Sequence, residues 1–295
     1  MTLTVFILVF FSAGLHVFWN AFVKACRDKV SFVWTTSAVG SLTLLPVFVV
    51  SRAAAPGPLD WQVVGWAALS GLCEAAYIIP LFVAYDRADL SVVYPLSRGV
   101  APLVTLALGG MLLGDVVALK HGAAVLVVVA GVGAVSWSAW VSAPHRHTLI
   151  GVGLALWAGC LIAGYHLVDR RVMILPDRPW PHEYLFLMHC FLMLFVSAWI
   201  VVARSRRACA LSEWRTNKRG VLVVGVGSVV GYLLIMIALR DPSANVTYVT
   251  AGRNVGIVLS TLVGGLFLNE AVSWRRVAGA VLITLGVAAL VLLGG

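Results

Sequence analysis

Two arginines stand inside hydrophobic stretches of the chain, where a charge is least expected. Arg98 and Arg253 each lie in an apolar run long enough to cross a lipid bilayer, and 155 residues separate them. Asp115 follows Arg98 after 17 residues, and Glu270 follows Arg253 at the same distance. A guanidinium at membrane depth costs about 3 kcal/mol or more. The recurrence of one arrangement therefore indicates a site.

The chemistry of such a site follows from the guanidinium group, a planar fork of N–H donors that suits carboxylate, phosphate and phosphonate groups. Arg98 shares a helical face with Tyr94, four residues earlier. Pro95 and Pro102 bracket it and can kink the helix. The arginines predict an oxyanion site. The alternative is structural, with Glu74 neutralising one arginine and backbone carbonyls holding the other.

Two further ionisable residues lie within apolar runs and could carry a proton. Glu74 is a carboxylate in a low-dielectric setting, so it either carries a proton, pairs with Arg98 or contacts a substrate amine. Tyr77 follows it by one helical turn and either binds substrate or packs. His16 is the second candidate for proton coupling because histidine titrates near neutrality. An interhelical hydrogen bond is its alternative role.

The sixth run carries a loose echo of the first. Trp19 and Asn20 correspond to Tyr165 and His166, and the aromatic members either stack on a substrate ring or pack. His166 and Asp169 can take a role related to that of the first run. The predicted substrate-binding residues are Arg98, Arg253, Tyr94, His16, Asn20, Trp19, Tyr77 and His166, with Glu74 and His16 as candidates for proton coupling.

Acids near the ends of runs have simpler explanations. Asp169 lies near the end of the sixth run, where it can pair with Arg170 or Arg171. Asp115 and Glu270 close the fourth and ninth runs. Each is expected to cap the N-terminus of the helix that follows it in the chain, because that end carries unsatisfied N–H groups and partial positive charge.

Composition defines the class of protein. The 295 residues are 61% hydrophobic and 11% charged, against roughly 45–50% and about 25% in soluble domains. The net charge of +9 is explained by basic loops flanking membrane spans, without nucleic acid. Metal-ligand, disulfide, nucleotide-binding and nucleophile motifs are all missing from the sequence. We therefore expect an integral, multi-pass membrane protein that is not an enzyme and uses neither metal nor cofactor.

Continuous apolar runs of about 20 residues predict transmembrane helices, whereas strands would alternate. Ten such runs predict an all-α membrane protein with ten transmembrane helices. The runs cover residues 3–23, 31–50, 62–85, 90–113, 118–140, 149–168, 183–203, 220–239, 244–268 and 275–294.

The two halves of the chain are related. Residues 93–115 align without gaps to 248–270, matching the arginine, a Gly-Gly pair, a hydroxyl and the terminal acid. We therefore predict two five-helix repeats, 1–142 and 148–295. Because five is odd, the repeats must be inverted, an arrangement typical of secondary transporters with a midplane substrate site.

Charge in the connections predicts the orientation. Thirteen of the 21 lysines and arginines lie in the connections that follow the odd-numbered runs, which are all on one side of the membrane. Six lie in the connections on the other side. The positive-inside rule places the richer face in the cytoplasm and both termini outside.

The sequence resembles the drug/metabolite transporter superfamily, in its ten-span EamA-type branch. The resemblance covers nearly the whole chain and rests on HVFWNAFVK (16–24), AYDRADLSVVYPLSRGVAPL (84–103), LLGD (112–115) and LFLNE (266–270). It implies a central cavity lined by spans one, three, four, six, eight and nine, with spans five and ten peripheral. It also implies a location in the bacterial cytoplasmic (inner) membrane. Superfamily substrates include amino acids, sugars, nucleotide-sugars, phosphorylated metabolites and drugs.

The residues and the resemblance together predict a secondary transporter with alternating access. Its expected partners are the lipid bilayer and a small anionic or zwitterionic metabolite that bears a carboxylate, phosphate or phosphonate, with proton coupling as an option. The alternative is a lipid headgroup flippase or scramblase that uses the same arginines.

Overall fold

A computed structural model describes residues 1–55, 57, 60–87, 90–142, 146–203, 207, 209–267 and 273–293. Within the helices, the side chains at positions 19–21, 23–25, 82, 85, 86, 90–92, 136, 138–142, 146–148 and 263–267 lie outside this description. In these ranges the chain forms helices and connections, and contains no strand. The helices are α1 (Leu3–Ala25), α2 (Lys29–Ala54), α3 (Trp61–Arg87), α4 (Leu90–Leu113), α5 (Leu119–Ser142), α6 (Arg146–Met173), α7 (Pro181–Val202), α8 (Ser212–Thr216), α9 (Lys218–Arg240), α10 (Val246–Gly252), α11 (Val255–Phe267) and α12 (Trp274–Leu292).

Helix length and hydropathy confirm an all-α, multi-pass membrane protein. Among the described residues, seven helical segments are long and apolar enough to cross a bilayer, and they fall in α2, α3, α4, α6, α7, α9 and α12. Leu3–Phe18 of α1 and Leu119–Val135 of α5 are shorter apolar stretches. The count of ten spans stays a prediction. The connection between the predicted repeats follows Ser142, where α5 ends, and precedes Arg146, where α6 begins.

The ninth apolar run is two helices, where the sequence predicted one. Helix α10 ends at Gly252, and α11 begins at Val255. At the break the backbone tightens into short turns. The Asn254 N–H donates to the Ala251 carbonyl over 3.0 Å and the Gly256 N–H to the Arg253 carbonyl over 3.2 Å. Arg253 therefore lies at the break between α10 and α11. Helix α4 of the other half is continuous although it contains two prolines.

The helices form two groups that face each other. In the first group α4 and α3 both pack on α6, and α7 packs on α3. In the second group α2 and α1 both pack on α9, and α10 and α11 pack on α1. We call these the α6 bundle and the α9 bundle. They meet where α2 packs on α7 and α10 on α4, and each contains helices from both halves of the chain.

The two ends of the structure can be told apart by their connections. At the near end, the Arg27 and Asp28 N–H groups, between α1 and α2, donate to Glu213 Oε1 in α8, each over 2.8 Å. At the far end, where α6 and α9 both finish, Arg170 Nη1 donates to the carbonyl oxygens of Leu239 (2.5 Å) and Asp241 (2.8 Å). Arg170 thus satisfies carbonyl groups at a helix C-terminus.

The capping prediction for Asp115 is wrong about the helix that it caps. Its Oδ2 accepts from the Val246 N–H over 3.1 Å, so the carboxylate lies at the N-terminus of α10 instead of α5. The physical reason is tertiary: the end of α4 packs on α10, where Gly109 lies against Val246. Glu270, its repeat counterpart, lies outside the described residues.

Candidate functional site

A cavity of about 200 Å³ lies between the α6 bundle and the α9 bundle. Helices α1, α2, α3, α4, α6, α7 and α9 and the α10–α11 break all contribute to its wall. Aliphatic side chains form the remainder of the lining. Its polar and aromatic lining comprises Ser12, His16, Phe32, Thr36, Ser37, Glu74, Tyr77, Tyr94, Ser97, Arg98, Tyr165, His189, Ser228, Tyr232 and Arg253.

Arg98 reaches across the cavity wall to a histidine of the opposite bundle. Its Nη2 donates to Nε2 of His16 in α1 over 2.8 Å. The guanidinium carbon lies 5.6 Å from the ring centroid of Tyr94, one turn earlier in α4. That distance falls within the range of a cation–π interaction. Arg98 is therefore oriented by a neutral acceptor and by an aromatic ring.

Arg253 makes an equivalent contact in the second half. Its Nη1 donates to Nε2 of His166 in α6 over 2.7 Å. The other ring nitrogen of His166, Nδ1, donates to the Ile162 carbonyl over 2.7 Å. The Arg253 guanidinium also lies 5.8 Å from the Tyr232 ring centroid. Because an arginine always donates, these partners assign His166 to the neutral tautomer with its proton on Nδ1.

An aromatic wall lies beside the two arginines. Tyr77 of α3 and Tyr165 of α6 have ring centroids 5.6 Å apart, and Tyr232 of α9 meets Tyr165 edge-on at 5.8 Å. Tyr165 also stacks on His166 at 4.4 Å. Such pairs fix ring orientation beyond what simple burial does. The wall therefore presents rigid aromatic faces to the cavity.

Glu74 lines the same cavity from α3. Among the contacts of the described residues, no ion pair joins its carboxylate to Arg98 or Arg253, which instead bond to histidines. The alternative in which Glu74 neutralises an arginine stays a prediction. Glu74 places an ionisable carboxyl group in a wall that holds two guanidinium groups.

Asp169 takes a different position from the one that the sequence suggested. It lies inside α6, which continues to Met173, and its side chain is fully buried. Its carboxylate accepts from Ser70 (2.6 Å), Tyr184 (2.8 Å) and the hydroxyl of Tyr232. The prediction that it pairs with Arg170 or Arg171 is therefore wrong. Arg170 binds backbone carbonyls instead.

The cavity occupies one side of the structure only. Of the described residues, α9 lines it from Val224 to Tyr232, and α6 lines it at Ile162 and Tyr165. The α2 residues in the wall belong to its first turns, near the α1–α2 connection. Beyond Tyr232, toward the far end, the bundle is filled by fully buried side chains. These include Asp169, Met173, Tyr184, Leu185, Met188, Ile235, Met236 and Leu239.

Most of the predicted substrate-binding residues meet at this cavity. Arg98, Arg253, Tyr94, His16, Tyr77 and Glu74 line it, and His166 stands behind Arg253 as its hydrogen-bond partner. The side chains of Trp19 and Asn20 lie outside the described residues.

Sequence reasoning missed Tyr232. The one available signal was its position, since Tyr232 follows Tyr77 by 155 residues, the offset of the arginines. Within the described part of the chain, no group of three or more His, Cys, Asp or Glu side chains is arranged to hold a metal ion.

A multi-pass helical membrane protein with a charged cavity between two bundles has the architecture of a transporter. Residues 149–292 match the EamA-like transporter family, a domain of the drug/metabolite transporter superfamily. The resemblance drawn from the sequence motifs is thereby confirmed. Comparison with curated proteins finds no match. One solved crystal structure shares the fold at a TM-score of 0.72 and 18% identity, over 100% of this chain and 99% of that one.

Proposed function

We propose that the protein is a secondary transporter of a small anionic or zwitterionic metabolite that works by alternating access. One observation carries the proposal: Arg98 and Arg253, one from each half, line a single cavity between two helical bundles. Costly intramembrane charge at a bundle interface is typical of a substrate pathway. The family match supports the transporter class.

The contacts of the arginines favour an oxyanion as ligand. His166 holds Arg253 through a neutral nitrogen, so the guanidinium charge is oriented without being neutralised. Nε2 of His16 likewise accepts a hydrogen bond from Arg98. Oriented guanidinium groups bind carboxylates and phosphates through paired, charge-assisted hydrogen bonds. We therefore propose a ligand with a carboxylate, phosphate or phosphonate group.

The size of the cavity favours a small ligand. Its volume of about 200 Å³ is below the roughly 300–1,000 Å³ of sites for drug-sized molecules. It corresponds to about seven water molecules at roughly 30 Å³ each. We therefore propose a compact metabolite as the ligand.

We further propose ten spans arranged as two inverted repeats, with both termini outside the bacterial cytoplasmic membrane. Reciprocal contacts between α5 and α12 support the inversion. A Cβ on Gly131 would touch Ile283, and a Cβ on Gly286 would touch Val128. Gly286 follows Gly131 by 155 residues, and Ile283 follows Val128 by the same number. The glycine of each half therefore contacts the counterpart of its own half's Val128 or Ile283 in the other half. Such reciprocal contacts are typical of a two-fold axis.

Glu74 and His16 are proposed as the candidates for proton coupling. Both line the cavity, so a proton on either group would lie beside the ligand. Glu74 is a carboxylate near two guanidinium groups, and its protonation changes the net charge that an anion meets. His16 accepts from Arg98, so its protonation would oppose that contact.

Transport by purified protein in liposomes tests the proposal. A thermal-shift screen across carboxylates, phosphonates, phosphate esters and amino acids would first identify ligands, because ligand binding raises the stability of the folded state. Uptake of each ligand would then be driven by imposed substrate or pH gradients. We expect Arg98→Ala and Arg253→Ala each to abolish uptake in a folded, inserted protein. Arg87→Ala is the control, because Arg87 is exposed at the end of α3.

Full uptake by both cavity variants would contradict the oxyanion site. Movement of labelled phospholipid between leaflets, without uptake of any solute, would instead support the headgroup flippase.

A further inference from the structure

Asp169 joins the two helical bundles at the closed end of the cavity. Two of its donors come from its own bundle, Ser70 in α3 and Tyr184 in α7. The third donor, Tyr232, belongs to α9 in the opposite bundle. The Asp169 side chain has no exposed surface. The Tyr232–Asp169 hydrogen bond is therefore a buried, charge-assisted contact across the bundle interface.

The Tyr232–Asp169 hydrogen bond lies where the cavity ends on its far side. Tyr232 is the last α9 residue that lines the cavity, among the residues described, and its hydroxyl points away from the cavity to Asp169. Beyond it, the α6 and α9 bundles are joined again where Arg170 binds the Leu239 and Asp241 carbonyls. Tyr232 thus lines the cavity and also makes the first of the contacts that join the two bundles toward the far end.

Tyr232 also connects this closure to the proposed ligand site. Its ring lies under the Arg253 guanidinium, with 5.8 Å between the guanidinium carbon and the ring centroid. It also meets Tyr165 edge-on. A ligand that draws Arg253 toward the cavity therefore acts on the same ring whose hydroxyl bonds to Asp169.

The corresponding position in the first half lacks this bond. Tyr77, 155 residues before Tyr232, faces the cavity, and no hydrogen bond of its hydroxyl is among those of the described residues. In the sequence, Val23 corresponds to Asp169 by the same offset that relates Asn20 to His166. The first half therefore has no carboxylate at the corresponding position. The two halves therefore differ in sequence at this position. The cavity extends toward the near end, away from Asp169.

We propose that the Tyr232–Asp169 hydrogen bond is the far-end gate of the transporter: it holds the α6 and α9 bundles together and breaks when the cavity opens to that side. The proposal rests on the alternating-access function proposed above. Asp169 is here a positioning residue, since it acts through Tyr232 and does not line the cavity. Loss of one hydrogen bond to a buried charged group shifts such an equilibrium by about tenfold or more.

Side-specific cysteine labelling tests this gate without any ligand. The five native cysteines would be replaced by alanine, and Ser228→Cys would place one thiol in the cavity wall. A membrane-impermeant maleimide would then be applied to the near end or the far end in oriented vesicles. We expect the parent protein to react mainly from the near end. Tyr232→Phe and Asp169→Asn should each raise the far-end labelling rate about tenfold.

Tyr184→Phe is a closely matched control. It also removes a tyrosine hydroxyl that donates to Asp169, but this hydrogen bond lies within the α6 bundle. The far-end labelling rate should therefore stay near that of the parent protein. A gain in Tyr184→Phe equal to that in Tyr232→Phe would overturn the proposal, and so would unchanged far-end labelling in Tyr232→Phe. Size-exclusion profiles and near-end labelling check the fold. If Asp169→Asn does not fold, the comparison of the two tyrosine variants decides.

The outcomes of the labelling and transport experiments are separable. Labelling requires no substrate, so a protein that transports nothing would contradict the proposed function whatever the labelling result. A transporting protein with unchanged far-end labelling in Tyr232→Phe would contradict only the gate.

Discussion

Arg253 and His166 form a hydrogen bond of 2.7 Å between Nη1 and Nε2 that crosses from the α9 bundle to the α6 bundle. His166 is fully buried, and its Nδ1 donates to the Ile162 carbonyl. Both ring nitrogens are therefore engaged, one as donor and one as acceptor. This arrangement requires a neutral imidazole and fixes the direction in which the guanidinium points.

His166 should therefore control ligand affinity although it does not line the cavity. His166→Leu should weaken binding of an anionic ligand about tenfold, because Arg253 loses its neutral acceptor while its charge stays buried. Isothermal titration of a ligand found in the thermal-shift screen measures the affinity. His189→Leu is the matched control. His189 also donates from Nδ1 to a backbone carbonyl and lines the cavity, but its described contacts include no arginine.

Equal losses of affinity in the two histidine variants would contradict this role. Such a result would mean that any buried imidazole in the cavity wall has the same effect.

Replacing each arginine by lysine separates charge from geometry. Arg98→Lys and Arg253→Lys keep one positive charge, but an ammonium group lacks the planar fork that can bond a histidine and an oxyanion in one plane. We expect at least about tenfold weaker binding in each variant, in a protein that still folds. Titration with a phosphonate and with a carboxylate of equal size measures the effect. Unchanged affinity in both variants would show that only net charge matters.

The sequence predicted the class of protein and several residues of the cavity wall, among them Arg98, Arg253 and Glu74. Continuous apolar runs require helices in a bilayer, because every backbone polar group must be satisfied internally. Arg98, Arg253 and Glu74 stood out because charge is costly at that depth. The proposed repeat accounts for the two arginines, because it would place related residues near a common axis.

Other features depend on contacts that no local pattern records. The α10–α11 break occurs at Arg253, between Gly252 and Gly256, whereas α4 stays continuous through Pro95 and Pro102. The two prolines therefore do not interrupt α4, and the break lies in the half without them. The break depends on tertiary packing, which determines whether the freed backbone groups find partners.

The role of Asp169 was hidden for a similar reason. Its position near Arg170 and Arg171 suggested a surface ion pair, but its donors are Ser70 and Tyr184, 99 and 15 residues away, and Tyr232. Hydroxyl groups are common in apolar helices, and they carry no signal of their partners in one sequence. The three donors can be identified only when the helices are placed.

Glu74→Gln should separate proton coupling from binding. The amide keeps the shape of the side chain but cannot carry a proton, so uptake driven by a pH gradient should be lost. Exchange of labelled for unlabelled substrate at equal concentration should continue, because it requires no net proton movement. Liposome assays with and without an imposed pH gradient measure both activities. Retained pH-driven uptake in Glu74→Gln, together with its loss in His16→Gln, would assign the proton to His16 instead.

The packing of α5 on α12 gives a prediction about stability. A Cβ added at Gly131 would lie 2.7 Å from the Gly279 carbonyl oxygen, and one at Gly286 would lie 2.8 Å from that of Ala124. Gly131→Ala and Gly286→Ala should each destabilise the protein by about 1–3 kcal/mol through overpacking. Gly133→Ala should change stability by no more than about 1 kcal/mol, since nothing lies within 4 Å of its Cβ position.

Thermal unfolding in detergent, followed by intrinsic fluorescence, would rank the three glycine variants. Gly131 and Gly286 are related by the 155-residue offset and meet equivalent neighbours, so their midpoints should fall by similar amounts. A large loss in Gly286→Ala with none in Gly131→Ala would contradict the reciprocal packing, and with it the observation that supports the inverted repeats. Equal losses at Gly131 and Gly133 would show that helix flexibility, and not close approach of α12, determines the response of α5.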